Sequence, residues 1–294
     1  LGKFINQQTL SGNQPMKKNL YIKLDNRALI YVSGPDALSF LQGLITNDIK
    51  KISNTRVIYA LMLTPQGKFL YDFFIYEYGG NLLLDCNAAK LNEIITKLGQ
   101  YKLRAKVKIE DFTNEYAVFA LDQPLANTTQ LAMLFNDPRA TALPFRFIAR
   151  KIDAEAQLKE HGFSQADFEY YENLRINLCI PSDLELADSF PLEYEMDKYN
   201  AIDYQKGCYV GQEVTARTHY RGTLRKKPYL VKATIDLSGY VGQEITAGQR
   251  KIGILRSAST NKGIALLHEE QLQETYETLG IGGANLVIVA SGPS

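Results

Sequence analysis

The sequence predicts an α+β fold with a small all-β module at its C-terminal end. Three observations carry that prediction. Between residues 27 and 111, short aromatic and β-branched runs follow one another with a long helical pattern among them, an order that suits an antiparallel sheet with its helices set apart. After Arg221 the pattern changes to short strands separated by glycine-rich turns, as in a small barrel or sandwich. At 294 residues the chain has room for roughly two domains and an ample apolar core.

Each element follows in chain order. "RALIYVSGPDALSFLQGLI" is a strand, a Gly34-Pro35 break, then a helix with Leu38, Leu41 and Ile45 at helical spacing. "RVIYALMLTPQGKFLYDFFIYEY" is two strand runs around Pro65-Gln66-Gly67, a hairpin. "NLLLDC" adds a strand, "AAKLNEIITKLGQY" a helix with Leu91, Ile94, Ile95 and Leu98 on one face, and "AKVKIED" another strand. "YAVFALDQPLANTTQLAMLF" repeats the order strand, proline, possible helix, a weak echo of the first unit. "SQADFEYYENLRINLCIP" is a helix stopped by Pro181, with Phe168, Tyr171 and Arg175 on one face. "KKPYLVKATI", "RKIGILRSAS", "KGIALLHE" and "ANLVIVAS" are the strands of the C-terminal module. The polar opening "LGKFINQQTLSGNQP" carries no Met; Met16 is read as the natural beginning and residues 1–15 as an upstream or appended segment, outside fold reasoning.

A net charge of +1 gives no reason to expect strong non-specific binding to nucleic acid, and no direct nucleic-acid contact is expected. No apolar run approaches the roughly 18 residues of a membrane span, and nothing reads as a signal peptide, so a cytoplasmic protein without membrane partners is expected. Cys86, Cys179 and Cys208 are an odd number at wide spacing with no C-x-x-C. That argues against a disulfide framework and against a self-contained metal site.

The stretch "YQKGCYVGQEVTAR" concentrates the unusual chemistry. Gly207 allows close backbone approach beside Cys208, and Lys206 could favour the thiolate. The alternative is a small buried Cys in a glycine turn. His219 could reach Cys208 only through the fold. In the hairpin's second strand, Asp72 points opposite Tyr71 and Phe73; if those rings are core, it lies on a polar, solvated face. Glu193 in the aromatic loop "SFPLEYEMD" could accept two hydrogen bonds from a flat heterocycle, or be a solvated loop charge. The basic run "RGTLRKKPYLVK", with Arg225, could bind an anionic tail or mark a charged strand edge.

Together, "KGCYVGQEVTAR", "RGTLRKK", "YYENLRINLCIP", "FPLEYEMD", "VSGPDALSFLQGLITNDI" and "LTPQGKFLYDF" resemble the YgfZ/GcvT-like folate-binding family. The branch is the one that includes mitochondrial iron–sulfur assembly factors, and the resemblance covers everything from Met16 onward. K-G-C-Y-x-G-Q-E is specific to that branch; the segments shared with glycine-cleavage aminomethyltransferases are less so. The resemblance implies three subdomains around a central funnel that accepts tetrahydrofolate, with two mixed α/β-sheet subdomains, ferredoxin-like in part, and a C-terminal β-barrel. The implied boundaries are 16–54 with 113–222 for a discontinuous folate-binding domain carrying the motif, 55–112 for an antiparallel α+β subdomain, and 223–290 for the barrel.

By the same resemblance Glu193 and Arg175 hold the pterin, with Arg225 beside them, and Asp72 falls near the catalytic Asp of the aminomethyltransferases. There Tyr71-Asp72 replaces the usual paired Asp, and Cys179 replaces the usual Gly before Ile-Pro. The implied function is a tetrahydrofolate-binding accessory protein for iron–sulfur cluster assembly or repair, acting on client or assembly proteins and through them on tRNA modification. Cys208 is its key thiol, on a loop shaped by Lys206, Gly207, Tyr209, Gly211, Gln212, Glu213 and Arg217. The alternatives are a folate-dependent aminomethyltransferase using Asp72 and a folate-sensing scaffold without chemistry.

Overall fold

The computed structural model describes residues 19–125, 132–222, 224–274 and 278–292. The segment 1–15 lies outside them, and so does most of the helix expected after Pro124. The chain runs through β1 (Leu20–Lys23), β2 (Arg27–Ser33), α1 (Ala37–Gln42), β3 (Ile58–Leu63), β4 (Phe69–Tyr78), β5 (Asn81–Asn87), α2 (Leu91–Lys102) and β6 (Lys108–Asp111). It continues with β7 (Tyr116–Leu121), β8 (Met133–Phe135), β9 (Phe145–Arg150), α3 (Ala154–Glu160), β10 (Ser164–Gln165), α4 (Phe168–Asn177), α5 (Asp183–Leu186) and α6 (Gln212–Arg221). The C-terminal part holds β11 (Lys226–Lys232), β12 (Glu244–Ala247), β13 (Arg250–Ser259), β14 (Lys262–His268), α7 (Glu269–Glu274), β15 (Leu279–Ile281) and β16 (Ala284–Ser291).

These strands make two five-stranded sheets, β3-β4-β5-β2-β6 and β10-β1-β7-β9-β8, and a closed barrel, β11-β14-β13-β12-β15-β16. This is the α+β class with a C-terminal barrel that the sequence predicts. Where the chain divides into domains remains our proposal; sheet pairing joins β2 to β5 and β6.

The two sheets face each other across one apolar layer that includes Leu29, Leu61, Phe74, Tyr76, Val118 and Ile148. Behind the first sheet, α1 and α2 bury Leu41, Ile94 and Leu98 against Phe73 and Ile75. Behind the second, α3 buries Leu158 against Phe119 and Phe147. Alternation along β4 therefore sends Phe74 and Tyr76 to one buried layer and Phe73 and Ile75 to another.

The hairpin turn at residues 64–68 forms as its sequence predicts, with Gly67 at φ 80° and its N–H on the Thr64 carbonyl at 2.8 Å. Met133–Phe135, the end of the expected helix, is instead a strand paired with β9. Cys179 sits at φ 54° just past α4, the left-handed position where glycine would be free of strain. That conformation is a physical reason for the glycine expected there.

Candidate functional site

Two places hold most of the residues singled out by the sequence. The first is the segment 200–211, which crosses the ends of α1 and the β3–β4 hairpin. Asn47 Nδ2 donates to the carbonyls of Tyr59 at 2.8 Å and Asn200 at 2.7 Å. Thr46 Oγ1 donates to the Ala201 carbonyl at 2.6 Å and accepts from Leu61 N–H at 2.8 Å. Asp203 N–H reaches the Thr46 carbonyl at 2.9 Å, and Val210 N–H the Gly43 carbonyl at 3.2 Å. Burial works against the Asp203 charge, but hydrogen bonds from Lys51 (2.8 Å) and Gln205 N–H hold its carboxyl below the usual range.

Lys206 closes this clamp. Its buried ammonium donates to the carbonyls of Gln42, at 2.7 Å, and Ile45, which lie at and just beyond the C-terminus of α1. Helix C-termini leave such carbonyls unsatisfied and favour a cation. The ammonium also stands 5.0 Å from the centroid of the buried Tyr209 ring. Burial lowers the Lys206 pKa to about 8, and burial raises the Tyr209 phenol to about 12. Lys206 thus serves as the anchor of the loop, and its charge is shared with backbone oxygens.

Two glycines in the motif do different things. Gly211 has φ 85°, caps α6, and a Cβ there would stand 2.6 Å from the Thr64 carbonyl oxygen and 3.0 Å from Leu63 Cβ. Across the contact, a Cβ on Gly67 would meet Val214 Cβ at 3.0 Å. The motif and the hairpin turn approach this closely because both are glycine. Gly207 is different: a Cβ there would meet nothing within 4 Å.

Cys208 projects from this frame into solvent, the one exposed cysteine of the three. Burial pushes the Cys86 thiol well up and the Cys179 thiol up to about 12, so both are held as inert thiols. His219 does not pair with Cys208; it stacks on Tyr204 at 3.8 Å between centroids and lies 3.6 Å from Asp197. The helix that carries it, α6, begins directly after Gly211 and takes up Gln212, Glu213 and Arg217, which the sequence places on a loop. Gln212 lies in its first turn, with its N–H on the Tyr209 carbonyl at 3.2 Å, while Glu213 and Arg217 are exposed along it.

The second place is the centre of the fold. Asp72 and Arg175 line one cavity there, together with Arg27, Arg139, Arg146 and Phe74, and it holds only about 40 Å³. Phe74 is surrounded by guanidinium groups, with Arg146 3.7 Å, Arg139 4.8 Å and Arg27 5.5 Å from its ring centroid. Arg27 donates to Asp85 at 2.6 Å and lies 3.3 Å from Asp72; Arg146 also pairs with Asp85, and Arg139 with Asp137 at 2.8 Å. Burial opposes the Asp85 charge, but Arg146 and Arg27 outweigh it and hold that carboxyl below its ordinary range. Asp72 also accepts from Tyr59 Oη at 3.3 Å. It is 4% exposed, so the solvated polar face considered for it is instead buried.

Arg175 is committed as well. Its Nη2 is 2.8 Å from Glu172, and its Nη1 donates at 2.7 Å to both Glu185 and the Ile180 carbonyl, tying α4 to α5. Glu193 is half-buried on the turn Pro191–Tyr194 and is absent from the residues lining the central cavity; Arg225 is exposed where the barrel begins. The expected pterin set is therefore not assembled. Ligand pockets run to about 300–1,000 Å³, and the central chamber, filled by arginines with their carboxylates, does not fit a pterin. Larger cavities lie on either side, about 370 Å³ over Asp72, Asp183 and Asn87, and about 330 Å³ over Tyr59, Lys51 and Arg56. The Tyr59–Asp72 contact stands between them. Sequence reasoning missed Arg27, Asp85, Asp137, Arg139 and Arg146; the available signal was a lone charge inside an apolar strand, as in "NLLLDC" and "PFRFIA".

Residues 22–158 match the family model described as GCVT N-terminal domain, and residues 225–291 the model described as CAF17, C-terminal beta-barrel domain. The chain is 32% identical over 284 residues to the mitochondrial iron–sulfur cluster assembly factor IBA57 of Mus musculus, covering 85% of this chain and 78% of the relative. For the Homo sapiens protein of that name the identity is 31% over 302 residues, covering 92% and 83%. A Mycosarcoma maydis homolog is 34% identical over 226 residues; the chain spans 55% of that relative's length, and 70% of this chain is matched.

Among solved structures, the glycine cleavage system aminomethyltransferase T from Bartonella henselae superposes with a TM-score of 0.76 at 13% identity, covering 95% of this chain and 86% of that one. This is a likeness of fold. These curated relatives are all described as mitochondrial, which overturns the cytoplasmic expectation; net charge and the lack of an apolar span carry no information on compartment. On the identity and coverage of the mouse and human relatives, the chain belongs to the IBA57 family of iron–sulfur cluster assembly factors, with a GCVT-like N-terminal part and a CAF17-type barrel.

Proposed function

We propose that the chain supports iron–sulfur cluster assembly by offering the Cys208 thiolate as one ligand to a cluster whose other ligands come from a second protein. The observation that carries this is the contrast among the cysteines. Cys208 is exposed on a loop whose backbone is clamped to α1 and the hairpin turn, while Cys86 and Cys179 are buried with raised thiol pKa values. A fixed, accessible thiol can exchange into a thiolate-ligated cluster, releasing the displaced thiolate and giving its own proton to buffer. Among the described residues no group of three or more Cys, His, Asp or Glu is placed to hold a metal ion, so the remaining ligands are assigned to a partner.

Neither rival is favoured. Aminomethyl transfer would use Asp72, whose oxygens are engaged by Arg27 and Tyr59. A scaffold without chemistry calls for a buried Cys208. Cluster ligation by Cys208 needs no tetrahydrofolate. Its test is anaerobic mixing with a glutathione-ligated [2Fe–2S] complex, read by sulfur-to-iron charge-transfer absorbance on the protein fraction. The wild type should acquire protein-bound cluster and Cys208→Ser should not; equal uptake by both would remove Cys208 from the function.

A further inference from the structure

We infer that the segment 102–106, at the end of α2, is a docking surface for an anionic phospholipid bilayer, with Leu103 entering the lipid between basic side chains. It stands independently of the reading of Cys208. From Lys97 to Lys108 the sequence "KLGQYKLRAKVK" carries five basic residues and no acidic one, in a chain whose net charge is +1. Two of the five are occupied. Lys97 lies 5.9 Å from the centroid of the Tyr101 ring, and Lys108 pairs with Glu110 at 2.7 Å. Lys102, Arg104 and Lys106 have no carboxylate partner for their charges among the described residues.

Between Lys102 and Arg104, Leu103 is 89% exposed at φ 43°, a backbone setting that a bulky side chain rarely takes. The surroundings hold it there. Ala105 N–H donates to the Lys102 carbonyl at 2.7 Å, Lys106 N–H to the Asp36 carboxylate at 2.7 Å, and Val107 is buried. The segment also rests on Gly34, where a Cβ would stand 2.3 Å from the Lys106 carbonyl oxygen. Strain that a fixed frame maintains points to a use, and what this frame displays is a leucine flanked by cations.

That combination selects the partner. A single-stranded nucleic acid draws on cations and on exposed aromatic rings for stacking; here Tyr101 is half-buried beside Lys97, and the exposed side chain is aliphatic. A bilayer engages both parts, headgroup phosphates meeting the cations and acyl chains the leucine. The adjoining surface fits as well. Leu38, two residues beyond Asp36 and 55% exposed, lines an apolar groove of about 620 Å³ with Ile49, Ile52, Leu82 and the exposed Lys50. Among the described residues no helix is long and apolar enough to cross a membrane, so the contact is with its surface. The expectation of no membrane partner rested on the missing apolar span, which surface binding does not require.

The chain has no tryptophan, so Leu103→Trp is a single reporter. At low salt its emission should shift to the blue with vesicles containing phosphatidylglycerol and stay put with vesicles of phosphatidylcholine alone. Inorganic phosphate and an RNA strand should also leave it unshifted, since neither has an apolar interior. Val241→Trp, on the barrel at a site 46% exposed, should shift with none of these.

Cosedimentation with the anionic vesicles reads the native side chains. Arg104→Gln with Lys106→Gln should lower partitioning about 25-fold, or about fivefold for each charge. Leu103→Asn, a residue that tolerates positive φ, should lower it about tenfold. Wild-type binding should be lost near 1 M salt, where the screening length is about 3 Å. These side chains are exposed, so the variants should keep the wild-type melting temperature. A wild type that does not sediment at low salt, undiminished partitioning of Leu103→Asn, equal shifts at Leu103→Trp and Val241→Trp, or a shift with the RNA strand would overturn the assignment.

Discussion

Exchanging Gly211 for alanine should damage the fold, and the same exchange four residues earlier should not. At Gly211 the backbone holds φ 85°, where an L side chain costs about 1–2 kcal/mol. The new Cβ would also stand 2.6 Å from the Thr64 carbonyl oxygen and 3.3 Å from Gly67 Cα, backbone atoms fixed by the hairpin. Relieving such overpacking costs roughly 1–3 kcal/mol more. The sum is about 2–5 kcal/mol, or a fall in Tm of roughly 5–15 °C for a chain of this size. At Gly207 the Cβ enters open space, so Gly207→Ala should lie within about 0.5 kcal/mol of the wild type. Thermal and urea unfolding of the two variants side by side decides the matter. Equal effects at the two sites, or a Gly211→Ala cost below about 0.5 kcal/mol, would refute the claim that the motif is packed on the hairpin turn through this glycine.

Other consequences are as direct. Arg146→Met leaves Asp85 buried with Arg27 as its remaining guanidinium partner, and urea unfolding should show a loss of about 3–5 kcal/mol; a loss under about 1 kcal/mol would mean the central ion network holds little. Because the Asp85 pKa is depressed in the folded state, its contribution is complete above the unfolded value of about 3.9 and should disappear as pH falls through the lower folded value. Lys206 acts at the other end of the scale. Its folded pKa of about 8 lies below the unfolded 10.5, so between the two the unfolded chain holds more protons and stability should rise with pH, a rise missing in Lys206→Met. Tetrahydrofolate should give no Arg175-dependent heat in titration calorimetry; a signal lost in Arg175→Ala would show that the central chamber opens.

Much of the fold was legible in the chain because its signals are local. The Pro65-Gln66-Gly67 turn, the α2 stripe and the short C-terminal strands each announce themselves within a few residues, and each appears in the structure. What was not legible depends on layers meeting. Asp72 alternates with Tyr71 and Phe73, so one face of β4 read as polar, yet that face is buried between the layers and Asp72 is paired with Arg27 of β2 in its own sheet. The central arginines come from β2, β9 and the loop before it, and no spacing rule predicts that their guanidinium groups converge on Phe74. Helix α6 escaped because "QEVTARTHYR" carries few apolar residues to mark a stripe. For the site, sequence alone singled out Cys208 and its glycines, but it gave Lys206 the wrong neighbour: the ammonium goes to the carbonyls at the end of α1.

The central claim is that Cys208 is the working thiol. Its most direct test is a single set of serine variants in cells lacking the native copy, read by the activity of a cluster-dependent enzyme. Cys208→Ser should abolish support while its protein level and melting temperature stay those of the wild type, and Cys86→Ser and Cys179→Ser should retain activity in proportion to the folded protein present. Full support by Cys208→Ser, at normal abundance, would contradict the account.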